Sequence, residues 1–381
     1  MKNMTYAGTG VDYGAMDPFK RMAQMAALET DHNLSRFGFS AVPWTRGESV
    51  FLIKTSWGYL GLVVEGLGTK SLVADALYKL ASTMESLTGR SFYDNVAQCN
   101  AAMAFNDLIT LGADPVVYGQ YLAVGDSKWF DDEKRSRDLI EGTKKACELA
   151  GCAWGGGETP TLKGIIIPGT ADLAGATVGI ITREERLINP ANIADGDAII
   201  AFESSGIHAN GLTLARTIAD KLPDGYLTKL PDGRTYGETL LDPTHIYAAA
   251  IRRCFDDGVD IHYAVNVTGH GWRKLMRATQ PFAYIIEDLP WKPPIFDFIQ
   301  KHGPVDDEEA FGNLNMGIGF AIYVPQKQVG RVFAALEPLQ GNRKTNYFLA
   351  DVIGHIEKSD EKKVVIKPKN LVYTADTLAV R

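Results

Sequence analysis

Long apolar runs are missing from this 381-residue chain. Nothing approaches the ~18 consecutive apolar residues that a membrane-spanning helix needs, so no membrane helix is expected. The opening segment, MKNMTYAGTGVDYGAMDPFK, holds no apolar core of signal-peptide length, and the expected compartment is the cytoplasm. Cysteine is scarce. Cys99, Cys147, Cys152 and Cys254 make no C-x-x-C spacing and read as free thiols in a reducing environment. Positive charge does not dominate either: 39 Lys and Arg against 46 Asp and Glu leave a net −7, which argues against a nucleic-acid partner. A G-x-S-x-G elbow is absent, as is any histidine pair at zinc-binding spacing, which removes two large hydrolase classes. There is no internal repeat and no low-complexity tract.

Glycine is what the chain has in excess, 38 residues or about a tenth, where about 7% is usual. With 45% hydrophobic and 22% charged residues the composition is globular, and the length favours two domains. Asp17-Pro18 followed by Phe19, Met22, Met25 and Leu28 predicts a capped amphipathic helix with proline at its first position. Strands are predicted over 51–54 and 60–64, then a helix with Leu72, Ala76, Leu80, Met84 and Leu87 on one face. A second helix begins at Asp94 and stops at Gly112, ahead of a strand at 116–124. A helix at 133–150 and strands at 164–167 and 172–181 close the first half. Residues 182–196, polar and containing Asn-Pro, mark the expected boundary between domains 1–181 and 182–381. Beyond it strands and helices interleave without regular βαβ spacing, which predicts an α+β fold with largely antiparallel sheets in each half.

Five glycine-rich polar loops adjoin these elements. In Glu65-Gly66-Leu-Gly68-Thr69-Lys70, two glycines let backbone N–H groups approach an anion and Lys70 can neutralise phosphate oxygens. The spacing is not that of a Walker A loop, and a glycine turn before a helix also serves simply as structure. Asn106-Asp107 lies beside an apolar helical stripe, where a carboxylate is costly unless paired or bound to a cation. Asp107, Asp94 and Glu65 are candidate magnesium ligands, an exposed polar face being the alternative for Asp107. Gly155-Gly-Gly-Glu158-Thr159 implies close backbone approach, with Glu158 a candidate for metal binding or proton transfer. Ser204-Ser205-Gly-Ile-His208-Ala-Asn210-Gly packs hydroxyls, an imidazole and an amide into one loop, suited to a ligand or, for Asn210, to a helix cap. Thr268-Gly269-His270-Gly and Asn315-Met-Gly317-Ile-Gly319 repeat the theme.

Taken in order, these segments resemble the phosphoribosylformylglycinamidine cyclo-ligase (aminoimidazole ribonucleotide synthetase) family over nearly the whole chain. Tyr6-Ala-Gly-Thr-Gly10-Val11-Asp12 resembles the family's opening element, and Glu65 to Lys70 its Asp-Gly-Val-Gly-Thr-Lys loop. Asn106-Asp107-Leu108 with Gly112-Ala-Asp-Pro115, Gly156-Gly-Glu-Thr159, the 204–211 loop and Leu240-Leu-Asp-Pro-Thr-His-Ile-Tyr247 follow. Ala7 stands where the family has lysine, Glu65 where it has aspartate, and His270 where it has glycine. An aspartate common before Asn-Asp is replaced near Cys99.

The resemblance implies two α+β domains, a homodimer joined through the N-terminal halves, and ATP with Mg2+ as cosubstrate. The implied reaction closes the imidazole ring of formylglycinamidine ribonucleotide, releasing ADP and phosphate. It places Glu65, Gly66, Gly68, Thr69, Lys70, Asn106 and Asp107 at the nucleotide, and Asp94, Asp107 and Glu65 at the metal. Ser204, Ser205, His208, Asn210, Thr268 and Gly269 fall to the ribonucleotide, with Lys70, His208 and Glu158 catalytic. The rivals are another ATP-dependent enzyme of the superfamily and a catalytically silent paralogue. A selenophosphate-synthetase-like enzyme would favour a cysteine near the N-terminus, and none precedes Cys99.

Overall fold

The computed structural model describes residues 4–81, 90–340 and 348–378. Its architecture is two mixed sheets, each with helices. The first takes β1 (Ser40–Ala41), β2 (Phe51–Thr55), β3 (Gly58–Gly66), β4 (Asp114–Val124), β5 (Ala153–Glu158) and β6 (Ala171–Ile181) in the order β1-β2-β3-β6-β4-β5. The second takes β7 (Asp197–Glu203), β8 (Tyr263–Asn266), β9 (Phe282–Ile286), β10 (Ile318–Pro325), β11 (Ala350–Lys358), β12 (Lys363–Ile366) and β13 (Leu371–Thr374). Its order is β13-β12-β9-β11-β7-β10-β8. Pairing is antiparallel except for β4 with β5 and β9 with β12, so the α+β expectation holds. Among the described residues no helix is long and apolar enough to cross a membrane.

α2 (Lys70–Ala81), α3 (Tyr93–Leu108) and α4 (Glu133–Ala150) belong to the first half, and α3 packs on β3 and β6. α4 follows helix chemistry closely: Asp132 caps its first turn through the N–H of Arg135, and Gly151 ends it in the left-handed region. α3 is buried almost all round, so its polar residues must find partners inside. The expected helix through residue 87 is seen to Ala81; Met84 and Leu87 lie outside the described residues.

Two local expectations are corrected. α1 (Tyr13–Leu28) starts at Asp12, whose carboxylate accepts from Gly14 N–H, and Pro18 sits inside the helix rather than at its start. Asp17 is no cap; it is buried and bonds Lys20 at 3.0 Å. Segment 164–167 is a turn with an isolated bridge, not a strand. The run Gly155-Gly-Gly has a packing cause: a Cβ on Gly157 would stand 1.8 Å from the Gln120 carbonyl oxygen, because β5 lies against β4 there.

Candidate active site

A cavity of about 610 Å³ opens where the first sheet meets α1 and the second half. Five of the residues singled out from sequence line it, namely Glu65, Asp107, Asn210, Thr268 and Gly269. They arrive from separate elements: Glu65 from the end of β3, Asp107 from the last turn of α3, and the others from loops of the second half. Asn266 Nδ2 donates to Asp107 Oδ1 at 2.7 Å, joining the two halves across the cavity floor. Asn210 Nδ2 is buried without a hydrogen-bond partner among the described residues, a donor left for a ligand.

Lys274 and Arg277 also line the cavity, and sequence reasoning passed over both. Lys274 is 8% exposed and donates to Thr268 Oγ1. Burial pushes Lys274 down to about 8, opposed by the charges of Asp107 and Glu65. Burial likewise raises Glu65 to about 8, reinforced by the charge of Asp107. One available sequence signal was three cations embedded in Trp272-Arg-Lys-Leu-Met-Arg277 directly after a glycine loop.

His270 explains its own departure from the glycine pattern. With φ 68° it turns out of the loop and stacks on Tyr13 of α1, ring centroids 3.6 Å apart. Its Nε2 lies 3.3 Å from Asp17 Oδ2, so α1 is fastened over the cavity by two residues one helical turn apart.

The remaining sequence candidates are elsewhere. Lys70 is fully buried and its ammonium donates to the carbonyls of His208 and Asp242, both at 2.8 Å. His208 is buried, with burial first and His245 second holding it well below the usual imidazole range. It is therefore neutral, and its Nε2 accepts from Ser205 N–H at 3.3 Å. Ser205 Oγ donates to the Pro243 carbonyl at 2.6 Å and Ser204 Oγ to Asn315 Oδ1 at 2.9 Å. Asn106 bonds the backbone at His245 and Tyr247. Gly66, Gly68 and Thr69 precede α2 without lining the cavity, although Thr69 Oγ1 is buried and unpartnered among the described residues. Glu158 is exposed on the edge strand β5.

The expected magnesium set does not come together. Asp94 and Asp107 occupy the first and last turns of α3, about 20 Å apart along its axis, so they cannot share an ion. Glu65 and Asp107 line the same cavity, as does Lys274. No group of three or more His, Cys, Asp or Glu that could hold a metal occurs among the described residues. Two carboxylates of the expected set, Glu65 and Asp107, are what the cavity offers a magnesium ion that keeps its other ligands from phosphate and water.

The two-sheet fold, with a cavity lined by carboxylates and glycine loops, is of the class represented by the hydrogenase maturation protein HypE and by ThiL. The chain of a HypE–HypF complex superposes with TM-score 0.56 at 14% identity, covering 87% of this chain and 94% of that one. AaThiL complexed with AMPPCP and TMP gives 0.53 at 14% identity, covering 84% and 88%. Residues 69–181 match the AIR synthase related protein N-terminal domain and residues 194–367 its C-terminal domain. The chain belongs to this AIR synthase related family. It is 34% identical to a phosphoribosylformylglycinamidine cyclo-ligase of Symbiobacterium thermophilum, over 89% of this chain and 92% of the relative. With the protein of the same name from Carboxydothermus hydrogenoformans it shares 32% over 96% and 99%.

Proposed function

We propose that this chain is an ATP-dependent cyclo-ligase converting formylglycinamidine ribonucleotide to aminoimidazole ribonucleotide, with ADP and phosphate released. The observation that carries the reading is the convergence of Glu65, Asp107, Asn210, Thr268 and Gly269 on one cavity. Relatives named for that reaction align along almost its whole length. An amide oxygen is a poor leaving group at neutral pH. Its attack on the γ-phosphorus, with the bond to ADP breaking, turns it into a phosphate. An internal amine then attacks the same carbon, the carbon–oxygen bond breaks, phosphate leaves, and the nitrogen loses its proton. Catalysis is mostly positioning and charge stabilisation.

In this reading the first-half wall of the cavity, Glu65 and Asp107, faces the nucleotide phosphates. The second-half wall, Asn210 with Thr268 and Gly269, faces the ribonucleotide. Mg2+ enters as part of the MgATP cosubstrate, held by phosphate oxygens. Lys70, His208, Ser204, Ser205 and Asn106 act as positioning residues behind the cavity, fixing the loop that presents Asn210. The work is done in the cytoplasm on a small metabolite.

A homodimer is part of the proposal. The face of the first sheet turned away from its helices carries Phe51 and Ile53, Leu60, Leu62 and Val64, and Val178 and Ile180 in register. Leu62 and Val64 are 44% and 68% exposed, an apolar surface of the kind that pairs with a second copy. Across such an interface Glu158, on the edge strand, has a route to a neighbouring site.

The deciding experiment is coupled ADP release with formylglycinamidine ribonucleotide against a panel of related amides. ADP formed in step with aminoimidazole ribonucleotide, and with that substrate alone, is expected. MgATP binding in calorimetry without turnover of any amide would instead identify a silent paralogue.

A further inference from the structure

The four thiols of this chain are not equivalent. Cys99 and Cys254 are sealed from solvent. The Cys99 sulfur accepts the Thr244 N–H at 3.2 Å, and burial pushes the Cys254 thiol up to about 12. Cys147 and Cys152 instead stand together where α4 ends. Gly151, with φ 75°, donates to the Glu148 carbonyl at 3.2 Å, and Cys152 N–H donates to the Cys147 carbonyl at 3.0 Å. This is a Schellman turn, in which the side chains at the positions held by Cys147 and Cys152 meet. Cys147 belongs to the buried core and Cys152 is half-buried against it. The same hydrogen bond limits their spacing. Cα of Cys152 is one covalent bond from the donor nitrogen and Cα of Cys147 is two from the acceptor oxygen, so the two are less than about 7 Å apart, within reach of a disulfide.

A cation lies beside this turn. Arg252, from the helix Ala248–Asp256 of the second half, donates to the Ala150 carbonyl at 2.8 Å and to Asp114 Oδ1 at 2.6 Å. Its Nη2 would stand 3.1 Å from a Cβ on Gly151. The Cys147 thiol first, and the Arg252 charge after it, hold Cys152 below the ordinary thiol range, against burial and the Asp114 carboxylate. The more accessible sulfur is thus the better nucleophile, with a second sulfur packed behind it.

We propose that Cys147 and Cys152 are a redox-active dithiol that a hydroperoxide closes to a disulfide, Cys152 reacting first and Cys147 resolving it. The Cys152 sulfur attacks the terminal peroxide oxygen, the O–O bond breaks, an S–OH group forms, and the departing alkoxide takes up the thiol proton as an alcohol. The Cys147 sulfur then attacks the Cys152 sulfur, the S–O bond breaks, and hydroxide leaves with the Cys147 proton as water. Two electrons pass from the sulfurs to the peroxide. The link closes on the turn that Arg252 grips, at a tie between the two halves. Neither cysteine lines the cavity, so the inference is independent of the cyclo-ligase reading.

Reduced protein treated with one equivalent of hydrogen peroxide, then titrated for thiols, tests the pair. The count should fall from four to two and return to four with dithiothreitol. After alkylation, the tryptic segment 146–163 should carry no alkyl group and weigh two hydrogens less than its reduced form, while Cys99 and Cys254 are alkylated. Cys152→Ser should keep its remaining thiols, and Cys147→Ser should stop at a sulfenic acid on Cys152 that dimedone captures. Four thiols after treatment, equal loss at Cys99 and Cys254, sulfinic acid on Cys152 with Cys147 still alkylated, or an undiminished loss in Cys152→Ser overturns the proposal. Should either variant fail to fold, the mapped thiols of the wild-type protein decide alone.

Discussion

Asn106 and Tyr247 are locked together across the two halves: the Asn106 carbonyl accepts the Tyr247 N–H at 3.0 Å while its amide donates to the His245 carbonyl at 2.8 Å. Asn95 and Gln98 of the same helix bond the Leu241 and Thr244 carbonyls at 3.0 Å each. The helix is thus stitched to segment 241–247 by side chains that take the place of a β-ladder. Asn106→Leu removes both partners and leaves a buried N–H and a buried carbonyl unpaired. A loss of about 2–4 kcal/mol is expected, read from urea unfolding. An unchanged midpoint would mean that water replaces the amide and that the stitch is dispensable.

That relationship marks where sequence reading stopped. The element types, the antiparallel α+β class and five cavity residues were legible, since glycine loops and apolar periodicity are local signals. Asn106-Asp107 and Leu240-Leu-Asp-Pro-Thr-His-Ile-Tyr247 looked like two sites, but Asn106 bonds the second segment's backbone and only Asp107 reaches the cavity. Chemical type was legible there and destination was not. Lys70 and His208 carry site-like chemistry for the same reason, yet Lys70 is used on backbone carbonyls far along the chain and the His208 ring on the Ser205 N–H of its own loop. The start of α1 was misread because Asp17-Pro18 mimics a cap followed by proline, while Asp12 holds the real one. Lys274 escaped notice because it sits in an apolar turn, where only the fold reveals that it faces inward.

Stability should depend on pH through Glu65. Its carboxyl is raised from 4.5 to about 8 by burial and by Asp107. A raised carboxyl contributes stability that is complete below 4.5 and is lost as pH climbs through 8. Glu65→Gln lacks that contribution while keeping the shape. Wild type should therefore lose roughly 2–4 kcal/mol relative to Glu65→Gln between those limits, with Lys274 common to both proteins. Parallel stability curves from acid to alkaline pH would show that Glu65 titrates alike in the folded and unfolded chain.

His270→Gly tests the fastening of α1. Glycine relieves a left-handed backbone that costs about 1–2 kcal/mol for an L side chain, while removing the ring stacked on Tyr13 and the contact with Asp17. The two effects offset, so the midpoint should move little. Trypsin cleavage at Lys20 and Arg21 should nevertheless accelerate several-fold, because α1 loses its hold on the glycine loop. Equal cleavage rates would assign the hold to Tyr6 and to the rest of the segment instead.

The last test concerns the open face of the first sheet. Val64 lies beside Ala176 and in line with Leu62 and Leu60, whose partners are Val178 and Ile180. Such a row is soluble in a monomer only at a cost of ~25 cal/mol for each Å² of apolar surface left wet. Val64→Glu puts a charge at its end without touching the helix-covered side. Light scattering should then report half the mass of the wild-type particle, with the far-UV spectrum preserved. Lys54→Glu, on the other face of the same sheet, should leave the dimer intact. Phe51, Leu62 and Val64 also line the cavity, so the site itself adjoins the face that the second copy would cover. Activity of Val64→Glu should accordingly rise with protein concentration as dimers re-form, whereas a wild-type enzyme that is monomeric and fully active when dilute would remove the second copy from the site.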